Sequence, residues 1–252
     1  WYALKSVLPF VDRIMVWDNG STDKTVAIIN TIKSPKIEFA ERQATSRKDL
    51  ANLRQEMLQR TPSNYNWLFV LDGDEIWPKT SIKTIIKFIA TNPETESIVT
   101  WTTNFVGDIY HALPKTSGKY HLAGREGDLA IRFISLKNIP GLHVGLDYGK
   151  EGYFDSKNKP IQDRHGIKFL DVSYHHATHL VRSTKNRVVI DRIKKQKYSI
   201  GDRINQADLP SILFSNHPDI VPDIHRPMTT ATIIKCQIFT LLRKIKYLFS
   251  RG

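Results

Sequence analysis

The sequence contains little cysteine and no long apolar run. Cys236 is the single cysteine among 252 residues, which excludes a disulfide within this chain and any zinc site built from several cysteines. So little cysteine is typical of proteins in a reducing compartment. No stretch approaches the ~20 consecutive apolar residues that a membrane-spanning helix needs. With 40% hydrophobic and 25% charged residues, the composition is that of a globular protein and excludes wholesale disorder.

Acidic residues are scarce in the last third of the chain. The formal net charge is +12, of which residues 182–207 carry +6. Residues 231–252 carry +5, because they include five Lys and Arg residues and no acid, and the remainder carries only +1. This gradient indicates an anionic partner for the C-terminal third, either lipid headgroups or nucleic-acid phosphates.

Short apolar segments alternate with segments of helical periodicity in the first half of the chain. The pattern predicts strands at 13–17, 37–40, 67–71, 96–103 and 128–136, and helices at 25–32, 46–60 and 80–90, the second of them capped by Ser46. This order predicts an α/β fold in which helices flank both faces of a mostly parallel sheet, and ligands bind such sheets beyond the carboxyl ends of the strands. Residues 104–165 are only weakly periodic, so we expect long loops there.

Two of the predicted strands end in acidic turns. Strand 13–17 runs into "DNGSTD" at 18–23, and strand 67–71 runs into "DGDE" at 72–75. Carboxylates two residues apart repel each other, and a hard divalent cation removes that cost while leaving coordination positions for water and phosphate oxygens. The first turn alone is compatible with an ordinary polar connection. Both turns together, each behind an apolar strand, favour a site for a phosphate-bearing ligand.

These two turns resemble those of the family 2 glycosyltransferases, which have the Rossmann-like, nucleotide-sugar-binding GT-A fold. The resemblance covers roughly residues 1–105. The family's first motif is matched by Asp18, Asn19, Gly20, Ser21, Asp23 and Thr25, and its Asp-x-Asp motif by Asp72 and Asp74. The resemblance implies a glycosyltransferase that uses a nucleoside-diphosphate sugar and Mn²⁺ or Mg²⁺.

The same resemblance implies roles for the motif residues. Donor binding would fall to Asp18, Asn19, Gly20, Ser21, Asp23 and Asp72, and metal binding to Asp72 and Asp74. Asp18 would accept hydrogen bonds from the base or ribose, while Ser21 and Asp23 would cap the following helix. Glu75 could orient a metal-bound water or cap the helix near residue 80.

Further candidates lie downstream in "YHHATHLVRS" at 174–183. The resemblance implies a histidine metal ligand from a late segment, for which His179 and His176 are candidates. Arg182 could contact the diphosphate, because a guanidinium matches phosphate geometry. Each of these side chains could instead be packed or solvated.

An inverting transfer needs a general base that takes the proton from the acceptor hydroxyl. Asp147 and Glu151 in "GLHVGLDYGKEGYFD" at 141–155 are the first candidates, and Asp128 and Asp163 are alternatives. A solvated loop carboxylate is the competing interpretation for each of them.

The two ends of the chain carry separate expectations. "WYALKSVLPF" begins with Trp1 in place of Met and resembles the middle of an amphipathic helix, so we expect residues to precede it, including the first strand of the family's fold. The expected domains are a GT-A domain over 1–205 and a C-terminal extension over 206–252 that contains a basic amphipathic helix.

That helix is predicted from an apolar stripe within residues 231–251, with basic residues mostly off the stripe. The stripe consists of Ile234, Ile238, Leu241, Leu242, Ile245, Leu248 and Phe249. Such a helix suits an anionic membrane surface, which predicts a cytoplasmic enzyme held peripherally at the inner face of the membrane. A helix docked on the domain or at a dimer contact is the alternative. Nucleic acid is not expected as a partner, since the tail lacks interleaved aromatics.

The sequence therefore predicts a metal-dependent, inverting glycosyltransferase that acts on a glycan or lipid-linked acceptor in cell-surface polysaccharide synthesis. Two alternatives stay open: a nucleotidyltransferase, which also places a carboxylate-bound metal beside a nucleotide, and a non-catalytic basic module that binds membranes or nucleic acid.

Overall fold

A computed structural model describes residues 1–147, 152–180 and 199–249. Over these residues the helices are α1 (Tyr2–Val7), α2 (Thr25–Asn30), α3 (Arg47–Gln59), α4 (Lys79–Thr91) and α5 (Thr230–Phe249). The strands are β1 (Ile14–Asn19), β2 (Ile37–Arg42), β3 (Trp67–Phe69), β4 (Glu75–Ile76), β5 (Ser97–Val106), β6 (Asp108–Ala112), β7 (Tyr120–Leu122), β8 (Arg125–Gly127), β9 (Leu129–Ser135), β10 (His143–Gly145), β11 (Gly152–Phe154), β12 (Ile167–His176) and β13 (Asp202–Arg203).

The largest sheet is built around β5. This strand pairs in parallel with β12 and antiparallel with β9 and β6, while β3 joins β9, β4 joins β12 and β13 joins β6. β1 and β2 form a separate parallel pair in which Ile14 lies opposite Ile37. The prediction of a mostly parallel sheet is therefore wrong, and the α/β fold has a mixed sheet. The reason is that several strands return without a helical crossover, and such connections give antiparallel pairs.

The tightest of these connections is Gly107, which alone separates β5 from β6. Its φ of +78° favours glycine, and a Cβ there would lie 2.1 Å from the Met228 sulfur. The region expected to form long loops also contains the short hairpins β7–β8 and β10–β11. The weak periodicity of this region reflects strands of only three residues.

Local sequence explains where α3 begins. The Ser46 hydroxyl accepts a hydrogen bond from the Asp49 amide at 3.1 Å, and the Asp49 carboxylate accepts one from the Ser46 amide at 2.9 Å. This reciprocal pair is a capping box, which satisfies amides that the first helical turn leaves unpaired. The predicted Ser46 cap is confirmed.

Four hydrophobic clusters hold the described elements together, and the two largest both include residues of α1. One packs α1 and α4 on the sheet through Val7, Trp77, Ile82, Ile85, Ile98, Phe133 and Tyr174. The other contains Tyr2, Ile76, Phe105, Ile109, Leu209, Leu213 and Val221. Its last three residues come from the predicted C-terminal extension, so this part of the extension shares a core with the elements before it. Across the three described ranges, no helix is both long and apolar enough to cross a membrane.

Candidate functional site

The first acidic turn follows β1 and is closed by its own side chains. Asp18 is buried near the end of β1, and one of its carboxylate oxygens accepts a hydrogen bond from the Ser21 amide at 2.8 Å. Gly20 between them has a φ of +67°, and the nearest atom to a Cβ there would be Gln43 Cγ at 4.0 Å. Backbone conformation, more than crowding, therefore favours glycine at this position.

The neighbouring polar residues connect this turn to the rest of the fold. The Asn19 amide oxygen accepts a hydrogen bond from the Ala44 amide at 2.6 Å, which ties β1 to the β2–α3 connection. Asp23 accepts a hydrogen bond from the Thr25 amide at 2.9 Å at the start of α2. Asp23 thus satisfies the first amide of α2, as expected, whereas the expected capping role of Ser21 is wrong: its amide donates to Asp18, and the N-cap residue Lys24 makes no side-chain cap bond.

The second acidic turn is held by two arginines. One oxygen of Asp72 accepts from Arg54 at 3.2 Å, and the other accepts from Arg132 at 3.1 Å. Arg132 also donates to Glu75, and its guanidinium lies 5.6 Å from the centre of the Tyr174 ring. The charge of Asp72 is thus compensated in part by guanidinium groups.

Glu75 lies beneath this turn and is fully buried. Burial raises its pKa to about 7, although the neighbouring Arg132 opposes part of this rise. One of its oxygens pairs with Arg132, and the other has no hydrogen-bond partner among the described residues. Glu75 belongs to β4 and does not cap α4, whose N-cap is Pro78. The expectation of a capping role is therefore wrong.

Sequence reasoning missed Arg132. It lies in the middle of β9, within "LAIRFIS", and it is the single charged residue of that strand. A charge inside an otherwise apolar strand is expensive to bury without a partner, so this residue signals a buried acidic neighbour. Local pattern does not identify these neighbours as Asp72 and Glu75, because they lie some sixty residues earlier.

The pairing of β4 with β12 brings Asp74 to a histidine. Glu75 lies opposite His176 in this antiparallel pair, and the Ala177 amide donates to the Asp74 carbonyl at 2.8 Å. As a result, a carboxylate oxygen of Asp74 lies 3.3 Å from His176 Nε2. The structure therefore joins one of the two predicted metal-binding histidines to the second acidic turn.

Asn104 fixes the orientation of the His176 ring. The Asn104 side-chain oxygen lies 3.1 Å from His176 Nδ1, and because an amide oxygen only accepts, Nδ1 carries the hydrogen. When Nε2 carries a hydrogen as well, the ring is an imidazolium that pairs with Asp74, and when Nε2 is deprotonated it offers a lone pair to a cation bound beside Asp74. Both side chains are partly exposed, so the pair is open to solvent.

The other two histidines of this segment lie elsewhere. His175 is buried, its ring stacks on Phe105 with centroids 5.0 Å apart, and burial lowers its pKa to about 4 with a smaller contribution from Lys115. This low pKa keeps His175 neutral. It faces the core while His176 does not, because adjacent residues of a strand face opposite sides. His179 is half-buried in the turn that follows β12.

The Asp74–His176 pair fits a divalent cation that also binds phosphate. No group of three or more His, Cys, Asp or Glu side chains within the described residues could hold a metal ion. Two protein ligands nevertheless suffice beside a nucleotide, where water and phosphate oxygens complete the coordination. A nitrogen ligand next to a carboxylate suits Mn²⁺ better than Mg²⁺, which prefers oxygen.

The general-base candidates are distributed over the second half of the chain. Asp147 is exposed directly after β10, where it lines a cavity of about 160 Å³ with Gln55 and other α3 residues. Asp128 accepts a hydrogen bond from the Ser117 hydroxyl at 2.9 Å, and Asp163 is exposed at the end of a 3₁₀ segment. The candidates Glu151 and Arg182 lie outside the described residues.

An α/β fold with two acidic turns behind apolar strands agrees with the architecture that the resemblance implies. The sequence model of glycosyl transferase family 2 matches residues 2–143, which is more than half of the chain. The chain therefore belongs to glycosyl transferase family 2, as the resemblance indicated. Membership makes it a glycosyltransferase with the GT-A α/β fold, and the family implies a nucleotide-sugar donor and an acceptor. No curated protein matches the chain.

Proposed function

We propose that this glycosyltransferase is metal-dependent and inverting, and that it extends a glycan or lipid-linked acceptor of a cell-surface polysaccharide. The observation that carries the proposal is the 3.3 Å approach of Asp74 to His176. This pair stands next to Asp72, which two arginines hold in place. A nucleoside-diphosphate sugar requires a cation for its diphosphate and a carboxylate that accepts hydrogen bonds from its hydroxyl groups. The Asp74–His176 pair and Asp72 would meet these two requirements.

Asp74 and His176 would hold Mn²⁺ or Mg²⁺. When bound, the cation would neutralise the negative charge that develops on the departing diphosphate. Asn104 would keep the His176 ring in the tautomer and orientation that leave Nε2 available. His179 and Arg182 are proposed as further contacts to the metal and the diphosphate.

Asp72 and Asp18 would orient the donor. Each Asp72 oxygen accepts one arginine N–H and, as a carboxylate oxygen, can also accept a donor hydroxyl. Asp18 uses one oxygen to close its turn and lies at the end of β1, where we propose that it receives the base or ribose. Asn19, Gly20, Ser21 and Asp23 would shape the same turn around the nucleotide.

Asp147 is the proposed general base, with Glu151 as the alternative. Its carboxylate would take the proton from the acceptor hydroxyl as that oxygen attacks the anomeric carbon from the face opposite the diphosphate. The hairpin that carries Asp147 is attached to α3, because Gln55 accepts a hydrogen bond from the Val144 amide at 2.7 Å.

The metal assignment is tested by calorimetry with Mn²⁺ and donor. Asp74→Ala should abolish metal-dependent donor binding while the protein stays folded, since Asp74 lies in a partly exposed turn. Asn104→Ala should weaken Mn²⁺ binding roughly 10- to 100-fold, because it only supports the ligand His176. Glu94→Ala, an exposed carboxylate on another loop, is the matched control. Unchanged binding in Asp74→Ala would show that the metal site lies elsewhere.

The reaction is tested by incubating nucleoside-diphosphate sugars with Mn²⁺ and identifying the products by mass spectrometry. Release of nucleoside diphosphate together with sugar transfer or donor hydrolysis supports the proposal. Transfer of a nucleotidyl group would establish the alternative enzyme class. The anomeric configuration of the product, read by NMR, decides whether the transfer inverts.

Attachment to the inner face of the membrane through α5 is part of the proposal. Ile234, Ile238, Leu241 and Leu242 are between 51% and 59% exposed, and their spacing places them on one side of the helix. Cys236 is buried and marks the side that contacts the protein. An exposed apolar stripe in a segment of net charge +5 supports a membrane surface over the docked-helix alternative. Each basic residue near an anionic leaflet contributes about 1 kcal/mol.

Liposome flotation tests this attachment. The intact chain should float with vesicles that contain anionic lipid, less so at high salt, whereas a chain ending at Thr230 should not. Ile238→Ser/Leu241→Ser keeps the charge and should also lose flotation, while Ile86→Ser, an exposed isoleucine on α4, should retain it. Equal flotation of all forms would refute the membrane role. A dimer that dissociates on the double substitution would instead identify the stripe as a subunit contact.

A further inference from the structure

A broad cavity of about 540 Å³ that is open to solvent lies beside β6, and none of its lining residues belongs to the acidic turns or the Asp74–His176 pair. Tyr110 and the buried Leu213 form part of its wall together with the rings of Phe214, His217 and His225. Its other lining residues are Gln206, Ser215 and Asn216. The volume is within the usual range for small-molecule sites, roughly 300–1,000 Å³.

The aromatic side chains of the cavity are held in fixed positions. His225 Nε2 lies 2.7 Å from the Leu213 carbonyl, which only accepts, so this nitrogen carries the hydrogen. His225 Nδ1 is then the acceptor for the Tyr110 hydroxyl at 3.2 Å. The Phe214 ring lies 5.1 Å from the His225 ring, and His217 packs against the rings of Trp1 and Tyr2. Rings ordered in advance reduce the entropy that a ligand must overcome.

The lining selects a neutral ligand that is rich in hydroxyl groups. None of the eight described lining side chains carries a formal charge when the histidines are neutral, which disfavours a phosphate or a carboxylate. The amides of Gln206 and Asn216 each offer donors and an acceptor, as sugar hydroxyls require. Phe214 is 41% exposed and presents an apolar ring that can pack on the C–H face of a pyranose. We infer that this cavity binds one or two neutral sugar residues of a glycan.

The cavity and the Asp74–His176 pair lie on adjoining strands. β6, which carries Tyr110, pairs antiparallel with β5, and the Leu113 amide just after β6 donates to the Asn104 carbonyl at 2.9 Å. Asn104 is the residue that orients His176. A glycan held in the cavity would therefore lie along the same sheet as the donor site. This placement as an acceptor subsite rests on the proposed function, whereas saccharide binding itself does not.

The test measures saccharide binding to the whole chain without donor or metal. Maltotriose, cellotriose and N,N′,N″-triacetylchitotriose are titrated by calorimetry and by NMR of the histidine rings. At least one should bind and shift the His225 resonances. Phe214→Ala should weaken that binding about tenfold or more, since it removes the ring on which the sugar would pack. Phe214→Trp keeps the stacking surface and should bind. Tyr120→Ala removes an exposed ring outside the cavity and should bind like the wild type.

Two results would overturn the inference: none of the three saccharides binds the wild type, or Phe214→Ala and the wild type bind equally with both folded by circular dichroism. Donor turnover is measured separately on the same proteins. Saccharide binding without sugar transfer supports the cavity assignment and counts against the proposed function. Sugar transfer that persists unchanged in Phe214→Ala, when that variant no longer binds saccharide, overturns the placement as an acceptor subsite.

Discussion

Replacing the buried Glu75 by Gln should flatten the dependence of stability on pH. In the folded protein the pKa of Glu75 is raised from 4.5 to about 7, chiefly by burial. A carboxyl with a raised pKa holds its proton more tightly when folded, so its contribution favours folding below pH 4.5 and is lost as the pH rises toward 7. The full loss is about 3 kcal/mol, and the part between about pH 5 and about pH 8.5 is about 2.5 kcal/mol.

Urea unfolding at a series of pH values, with chelator present, measures this difference. The wild type should lose about 2.5 kcal/mol more than Glu75→Gln between about pH 5 and about pH 8.5. The absolute stability of the variant is a separate quantity, because its amide group adds a donor where Glu75 has an oxygen without a described partner. This difference in absolute stability does not depend on pH, so it cancels when the pH slopes of the two proteins are compared.

Glu94→Gln is the control, since Glu94 is exposed. It should reproduce the wild-type slope. If the free energies of unfolding of the wild type and Glu75→Gln changed equally with pH over this whole pH range, Glu75 would not change its protonation on folding. The argument from burial would then be refuted.

Two further substitutions test the core and the β5–β6 turn. Between neutral pH and about pH 5, His175→Phe should lose about 2 kcal/mol less stability than the wild type. The reason is that the buried histidine, with a pKa of about 4, stays neutral in the folded protein while the unfolded chain takes up a proton. Urea unfolding at both pH values measures this difference. Gly107→Ala should lower the free energy of unfolding by about 1–2 kcal/mol for its left-handed backbone, plus the cost of displacing Met228. Gly124→Ala has a similar φ and no neighbouring atom within 4 Å, so the difference between the two variants gives the Met228 contribution, and equal losses would contradict a packing role.

The features that could be predicted from the sequence are those set by local pattern. Apolar runs identified β1, β3, β5 and β9, and the Ser46 capping box identified the start of α3. The two acidic turns could also be located, because each follows directly on an apolar strand. Strand direction could not be predicted, since β4, β6 and β9 return through connections whose geometry depends on distant partners.

Local sequence pattern also could not predict the partners of the acidic residues. Arg54 and Arg132 reach Asp72 from α3 and β9, at separations of 18 and 60 residues. The motif suggested that a divalent cation relieves the repulsion between the carboxylates. In the folded chain guanidinium groups supply part of that compensation, which leaves Asp74 as the carboxylate paired with a histidine.

The choice between His175 and His176 shows how sheet register determines the chemistry of the site. The pairing of β4 with β12 sets His176 opposite Glu75 and His175 opposite Ile76. Because strand residues alternate between faces, His176 meets Asp74 while His175 stacks on Phe105 in the core. A slip of one residue would reverse the two positions and bury the side chain that now meets Asp74. The packing of β12 around His175 therefore secures the position of His176, and substitutions that loosen this core should weaken the proposed Mn²⁺ binding in calorimetry even though they replace no proposed ligand.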